Sequence, residues 1–93
     1  MTITLGAARN SDLPAVLALL ERSGLPRDGL SEHVATTLVA RSGDAIVGSA
    51  ALELYGGAAL LRSVAVDSAL RGQGLGQRLT RAALDVARQH GAA

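Results

Sequence analysis

The chain has 93 residues, nine arginines against eight acids for a net charge of +1, a single aromatic and no cysteine. This describes one small domain whose core must be built from Leu, Val, Ile and Ala, and it removes disulfides, thiol nucleophiles and thiolate metal sites. A near-neutral chain with one aromatic also excludes a general nucleic-acid binder, which needs a basic face or stacking side chains. The N-terminus has no basic region followed by an apolar run, and no apolar stretch is long enough to span a bilayer, so the expectation is a cytoplasmic protein without a membrane partner.

Residues 2–8 alternate weakly, with Ile3, Leu5 and Ala7 on one face, and predict a short first strand. Asn10-Ser11-Asp12 supplies N-cap candidates and Pro14 falls where a first-turn proline is tolerated. Leu13, Val16, Leu17 and Leu20 then form the apolar stripe of a helix that ends at Gly24, ahead of Pro26. A second short helix is expected over residues 28–35, with Leu30 and Val34 inward. From Thr36 the period drops to two: residues 37–41 read as a strand, 42–44 as a turn, 45–55 as a longer strand and 58–66 as its return across a Gly56-Gly57 hairpin. Residues 75–90 predict an amphipathic helix stopped at Gly91. Leu75, Leu79, Ala82, Ala83, Val86 and Ala87 line one face, while Arg78, Arg81, Asp85 and Arg88 point to solvent.

The stretch that leads into this last helix, Arg71-Gly72-Gln73-Gly74-Leu75-Gly76, is a candidate phosphate cradle. A helix N-terminus leaves backbone N–H groups unpaired and carries partial positive charge, and glycines let an anion approach them. Residues 61–93 hold five arginines against Asp67 and Asp85, a local excess of three positive charges that suits a small anion better than a polymer. Three phosphate-loop readings compete. A dinucleotide fingerprint requires G-x-G-x-x-G in a parallel βαβ unit, whereas Gln77 occupies the third glycine position and the preceding strands form a meander. A Walker loop requires a lysine, and the chain has none. The third reading is an acyl-CoA pyrophosphate loop, and beside it stands the plain one of an ordinary loop and helix start.

Arg71-Gly72-Gln73-Gly74-Leu75-Gly76 matches the R/Q-x-x-G-x-G/A signature of the Gcn5-related N-acetyltransferases and follows a strand ending Ser63-Val64-Ala65-Val66, as that family's cofactor strand does. The chain resembles that family, most closely the acetyltransferases of bacterial arsenic-resistance operons, through Leu13-Pro14-Ala15-Val16-Leu17, Gly24-Leu25-Pro26, Glu53-Leu54-Tyr55-Gly56 and Ala59-Leu60-Leu61-Arg62-Ser63. The resemblance implies an α+β, GNAT-like acyl-CoA N-acyltransferase fold, N-terminal part only: a strand, two helices, a three-stranded antiparallel meander and a helix, with residues 1–93 as a single partial domain. It implies acetyl-CoA as acyl donor, its pyrophosphate on the backbone amides of Arg71, Gly72, Gln73, Gly74, Leu75 and Gly76. The pantetheine arm would pair like an extra strand with Val64, Ala65 and Val66. A backbone N–H at about Val64 would polarise the thioester carbonyl, a fixed donor that needs no reorganisation as the oxyanion develops.

The expected reaction is attack of a small-molecule amine on the thioester, without a metal. Across the hairpin Tyr55 falls opposite Ala58 and Glu53 opposite Leu60, which brings Arg62 diagonally beside Glu53 on one face. Glu53 is then the base candidate and Arg62 a holder for an acidic group of the substrate. The alternative for the pair is a cross-strand surface ion pair worth ~0.2–1 kcal/mol. Ser63 should point to the opposite face, His33 and His90 read as helix-surface residues without metal-ligand spacing, and Tyr55 as a packing residue, with the lining of a substrate mouth as its alternative. The family continues past this point with another strand, a helix bearing the usual general acid, and further strands. The chain therefore reads as truncated after the signature helix, with an open edge strand that promotes a homodimer. The alternative function is a catalytically inactive acyl-CoA-binding or dimerisation fragment; a purely structural α/β domain would make the loop coincidental.

Overall fold

A computed structural model describes residues 2–27, 29–55 and 57–91 of the chain. Four strands, β1 (Ile3–Ala7), β2 (Thr37–Ser42), β3 (Ala45–Tyr55) and β4 (Ala58–Val66), form one antiparallel sheet in sequence order. The first strand thus joins the meander, pairing with β2. Helix α2 (Leu75–Gln89) packs on one face of the sheet and helix α1 (Leu13–Arg22) on the other. Leu75, Leu79, Ala83 and Ala87 of α2 are buried against Leu38, Ala40, Val47, Ala50 and Leu52. Val16, Leu19 and Leu20 of α1 meet Val39, Ile46, Ala51 and Ala65. Gly48 lets α2 come this close: a Cβ there would stand 2.8 Å from Leu79 Cδ1 and 3.3 Å from the Ala40 Cβ, both fully buried residues. In a core with one aromatic in the whole chain, close approach over Gly and Ala replaces large side chains as the means of filling space.

The predicted second helix is instead a 3-10 segment, Leu30–Thr36, that breaks at His33 (φ −120°, ψ 18°). Asp28, where that helix was expected to start, lies outside the described residues, as does Gly56 of the hairpin turn. The cause of the break is tertiary. Thr36 Oγ1 donates to the Leu52 carbonyl at 2.6 Å and ties the segment to β3, while Thr37 Oγ1 donates back to the His33 carbonyl at 2.7 Å, where helix hydrogen bonds would continue.

Asp12 also departs from expectation. It stands at the N-cap of α1 as expected, but its side chain makes no cap hydrogen bond to that helix. Its carboxylate accepts from Arg41 Nη1 at 2.8 Å, from Arg41 Nη2, and from the Arg9 backbone N–H at 2.8 Å. This fork, on a residue only 9% exposed, ties the entry of α1 to β2. The Arg41 hydrogen bonds, then the Arg9 amide, hold the Asp12 pKa at about 2, below its ordinary 3.8. A depressed carboxylate pKa stabilises the fold above the unfolded-state value, and that contribution disappears as pH falls through the folded value. Asp12→Asn should lower stability at pH 7 by about 1.5–3 kcal/mol, the range for hydrogen bonds to charged groups. In thermal melts it should also flatten the loss of stability that the parent chain shows between about pH 4 and pH 2.

Candidate active site

The register of the β3–β4 hairpin runs as expected from Tyr55↔Ala58 through Glu53↔Leu60 to Ala51↔Arg62. It then slips by one residue. Ser49 pairs with Ala65, so Ala50 on β3 faces two residues, Ser63 and Val64, on β4. Ser63 sits at φ +57°, the one left-handed non-glycine among the described residues, and Ser49 Oγ donates to its carbonyl at 3.2 Å. Strict alternation would send Val64 and Val66 to the α1 face. The bulge reverses the phase, so that Leu61, Val64 and Val66 all pack on the α2 side while Ala65 packs on the α1 side. The alternation used to orient Ser63 therefore stops at Arg62.

Among the described residues no strand pairs with the other side of β4. The Asp67 N–H donates to the Val47 carbonyl at 2.8 Å, which marks Asp67 as turned toward β3. The antiparallel alternation then turns the backbone groups of Val66 and Val64 outward. Arg71 Nε reaches the Val66 carbonyl from that side at 3.4 Å. Beyond this edge Val64, Gly76, Gln77, Thr80, Arg81 and Leu84 line a cleft of about 520 Å³.

The chain leaves β4 through a 3-10 turn, Ser68–Leu70, capped by the Asp67 carboxylate on the Ala69 N–H at 3.0 Å, and anchored by buried Leu70. Gly72 (φ +82°) and Gly74 (φ +80°) then turn the backbone through the left-handed region, Gly74 as the N-cap of α2. A Cβ on either would meet nothing within 4 Å. Residues 71–74 are exposed and Leu75 is buried, so an open loop is fixed at its helix end by the core.

Glu53, Arg62, Tyr55 and His33 meet on the opposite, α1-side face of the hairpin. Glu53 is 6% exposed and accepts from Arg62 Nη1 through Oε1 and from Tyr55 Oη through Oε2. His33 Nε2 lies 3.5 Å from Oε1. The first residue of this corner is Gly29 (φ +81°), whose missing Cβ would sit 3.8 Å from Arg62 Nη1. The Tyr55 hydrogen bond, then that of Arg62, pull the Glu53 pKa below the ordinary carboxylate value against the opposing effect of burial. The same contact with Glu53 pushes the Tyr55 phenol up. The structure thus brings Glu53 and Arg62 together, and at a buried carboxylate rather than in a surface pair. It corrects two expectations: Tyr55 is 60% exposed and hydrogen-bonds Glu53 rather than packing, and His33 is half-buried against Glu53 rather than on a helix surface. His90 is exposed at the end of α2, as expected.

The profile of the acetyltransferase (GNAT) family matches residues 8–93. The chain belongs to this family. Among solved structures, this GNAT chain is similar to Rv2747 from Mycobacterium tuberculosis, in complex with CoA. The two are 30% identical with a TM-score of 0.84, over 96% of this chain and 60% of that one. N-acetylglutamate synthase from Neisseria gonorrhoeae, complexed with coenzyme A and N-acetyl-glutamate, shares the fold at 24% identity and TM-score 0.85, over 100% of this chain and 24% of that one. The ribosomal-protein-S18-alanine N-acetyltransferase of Escherichia coli does so at 21% identity and TM-score 0.82, over 99% and 63%. The GNAT chain spans less than two thirds of each of these proteins. No curated protein sequence matches it.

The bulge in this GNAT domain rests on a serine in a conformation that costs an L-residue about 1–2 kcal/mol. Ser63→Gly should keep or raise the melting temperature, whereas Ser63→Val, β-branched at positive φ, should lower stability by about 1–3 kcal/mol in denaturant titrations.

Proposed function

We propose that the chain acts as an acetyl-CoA-dependent N-acetyltransferase domain that moves an acetyl group to the amine of a small, amino-acid-like molecule. The observation that carries this reading is the continuity of the open β4 edge with the Gly72–Gly74 turn and the start of α2. Outward backbone groups at Val64 and Val66 suit a pantetheine arm lying as an added strand. The exposed turn through Gly72 and Gly74, whose Cα positions face open space, with the Arg71 side chain at its start, suits a pyrophosphate. The CoA-bound structures of similar proteins support the choice of donor.

The amine nitrogen attacks the thioester carbonyl carbon while the Val64 N–H faces the carbonyl oxygen. Glu53 accepts the amine's proton, and Arg62 gives the acceptor side a positive charge that favours an acidic group on the substrate. An arsenic-resistance type of acceptor rests on the residue resemblances around Leu13, Gly24, Glu53 and Arg62. A second reading, an acyl-CoA-binding or dimerisation module without turnover, is favoured by the β4 edge, which has only β3 as its partner among the described residues.

Calorimetric titration with acetyl-CoA should show binding by the folded chain, weakened about 10-fold by Arg71→Ala, since one charge-assisted hydrogen bond is worth roughly 1.4 kcal/mol or more. Gly74→Asp, which sets a carboxylate and a strained backbone against the phosphates, should abolish it. A folded parent chain that does not bind contradicts both readings. Thiol release on adding amines separates them, and equal rates for amines with and without a carboxylate would remove the role given to Arg62.

A further inference from the structure

The corner around Glu53 holds one group for which the reaction so far has no use, the imidazole of His33. We infer that His33 is the second proton carrier of the transfer reaction, taking from Glu53 the proton that the acceptor amine loses and passing it to solvent. The inference rests on the transferase reading above and deepens it.

Three observations converge. His33 Nε2 stands 3.5 Å from Glu53 Oε1, the oxygen that Arg62 also engages. The Glu53 side chain is 8% exposed and that of His33 28%, so a proton on Glu53 reaches water through His33 more readily than directly. Glu53 also has both oxygens engaged by donors, Arg62 on Oε1 and Tyr55 on Oε2, which lowers its pKa, so it holds a transferred proton poorly and must hand it on. Imidazole is a side chain suited to take over such a proton and pass it on, since one ring nitrogen can accept while the other donates. The separation is a few tenths of an ångström above a transfer contact, and catalytic hydrogen bonds in ligand-free enzymes often tighten when substrate arrives.

The placement is built into the fold. Thr37 Oγ1 fixes the His33 carbonyl and Thr36 Oγ1 fixes the next turn to β3, which holds the kink that turns the ring toward Glu53. Among the described residues, the charged and titratable groups at this corner are Glu53, which the ring approaches, and the two side chains bound to Glu53, Tyr55 from β3 and Arg62 from β4. Exposed Glu32 is its neighbour on its own segment, and α1 contributes the apolar Val16, Leu19 and Leu20 beside Leu30. In the balanced step, the amine nitrogen bonds to the carbonyl carbon and the C–S bond breaks. The N–H proton passes to Glu53 Oε1, then to His33 Nε2, then to water. The departing thiolate takes one proton from water, so none is gained or lost overall.

The test is the pH–rate profile of thiol release by the full chain, with acetyl-CoA and an acceptor amine that stays neutral across the range. His33→Ala and His33→Gln are compared with the parent, with and without free imidazole. His33→Ala should lower kcat by about 10-fold or more, within what proton-transfer groups contribute, with KM for the amine little changed. An acid-side decline in the parent's profile should vanish in both variants. Added imidazole should partly restore His33→Ala. Parent-like kcat and pH profiles in both variants overturn the relay and leave the transferase reading intact. So does a fall in kcat with an unaltered profile and no rescue, because that is a packing effect. A parent chain that releases no thiol overturns both.

Discussion

The arrangement depends on one extra residue in β4. With Ser63 and Val64 together opposite Ala50, the strand changes phase between its two halves. Its hairpin half, with Leu60 and Arg62 paired to Glu53 and Ala51, serves the α1-side corner where Glu53, Tyr55, Arg62 and His33 meet. Its far half sends Val64 and Val66 to the α2 side and leads into the glycine turn. A regular strand would bury one of these two sets on the wrong face. The cost of the left-handed Ser63 is therefore offset by the packing of two valines and of Ala65 on their proper sides.

The two ends of the site are supported differently. The glycine turn is exposed and lightly held, fixed by Leu70 and Leu75 in the core and by the Asp67 cap. Such a loop can follow the shape of an anion. The Glu53 corner is buried and cross-linked, with a carboxylate gripped by a phenol and a guanidinium and approached by an imidazole. It is preorganised, and its charge state is set by neighbours rather than by solvent.

Strands and helices were readable where a period governs them. The bounds of β3 and β4 follow from their period of two and the turn residues between them, and the inward face of α2 from the helical spacing of Leu75, Leu79, Ala83 and Ala87, with Ala82 and Val86 beside it. The Glu53–Arg62 contact followed from hairpin register alone. Three things did not follow. The bulge at Ser63 leaves no mark in composition, because serine is an ordinary strand-edge residue. The 3-10 kink at His33 depends on hydroxyls of Thr36 and Thr37 that bind carbonyls, although two β-branched residues in succession are a reason to doubt a helix continuing there. The Asp12–Arg41 pair joins residues 29 positions apart, and a polar residue ahead of a helix reads first as a cap. In each case a tertiary contact overrode a local preference.

The central claim is that the donor lies along the outer edge of β4 and ends on the turn before α2. Amide hydrogen exchange followed residue by residue, with and without acetyl-CoA, tests it most directly. The account predicts slowed exchange at Val64, Val66 and residues 72–76, with the other edge strand, Ile3–Ala7, unchanged. Protection confined to that first strand, or spread without preference for the β4 edge, would contradict it.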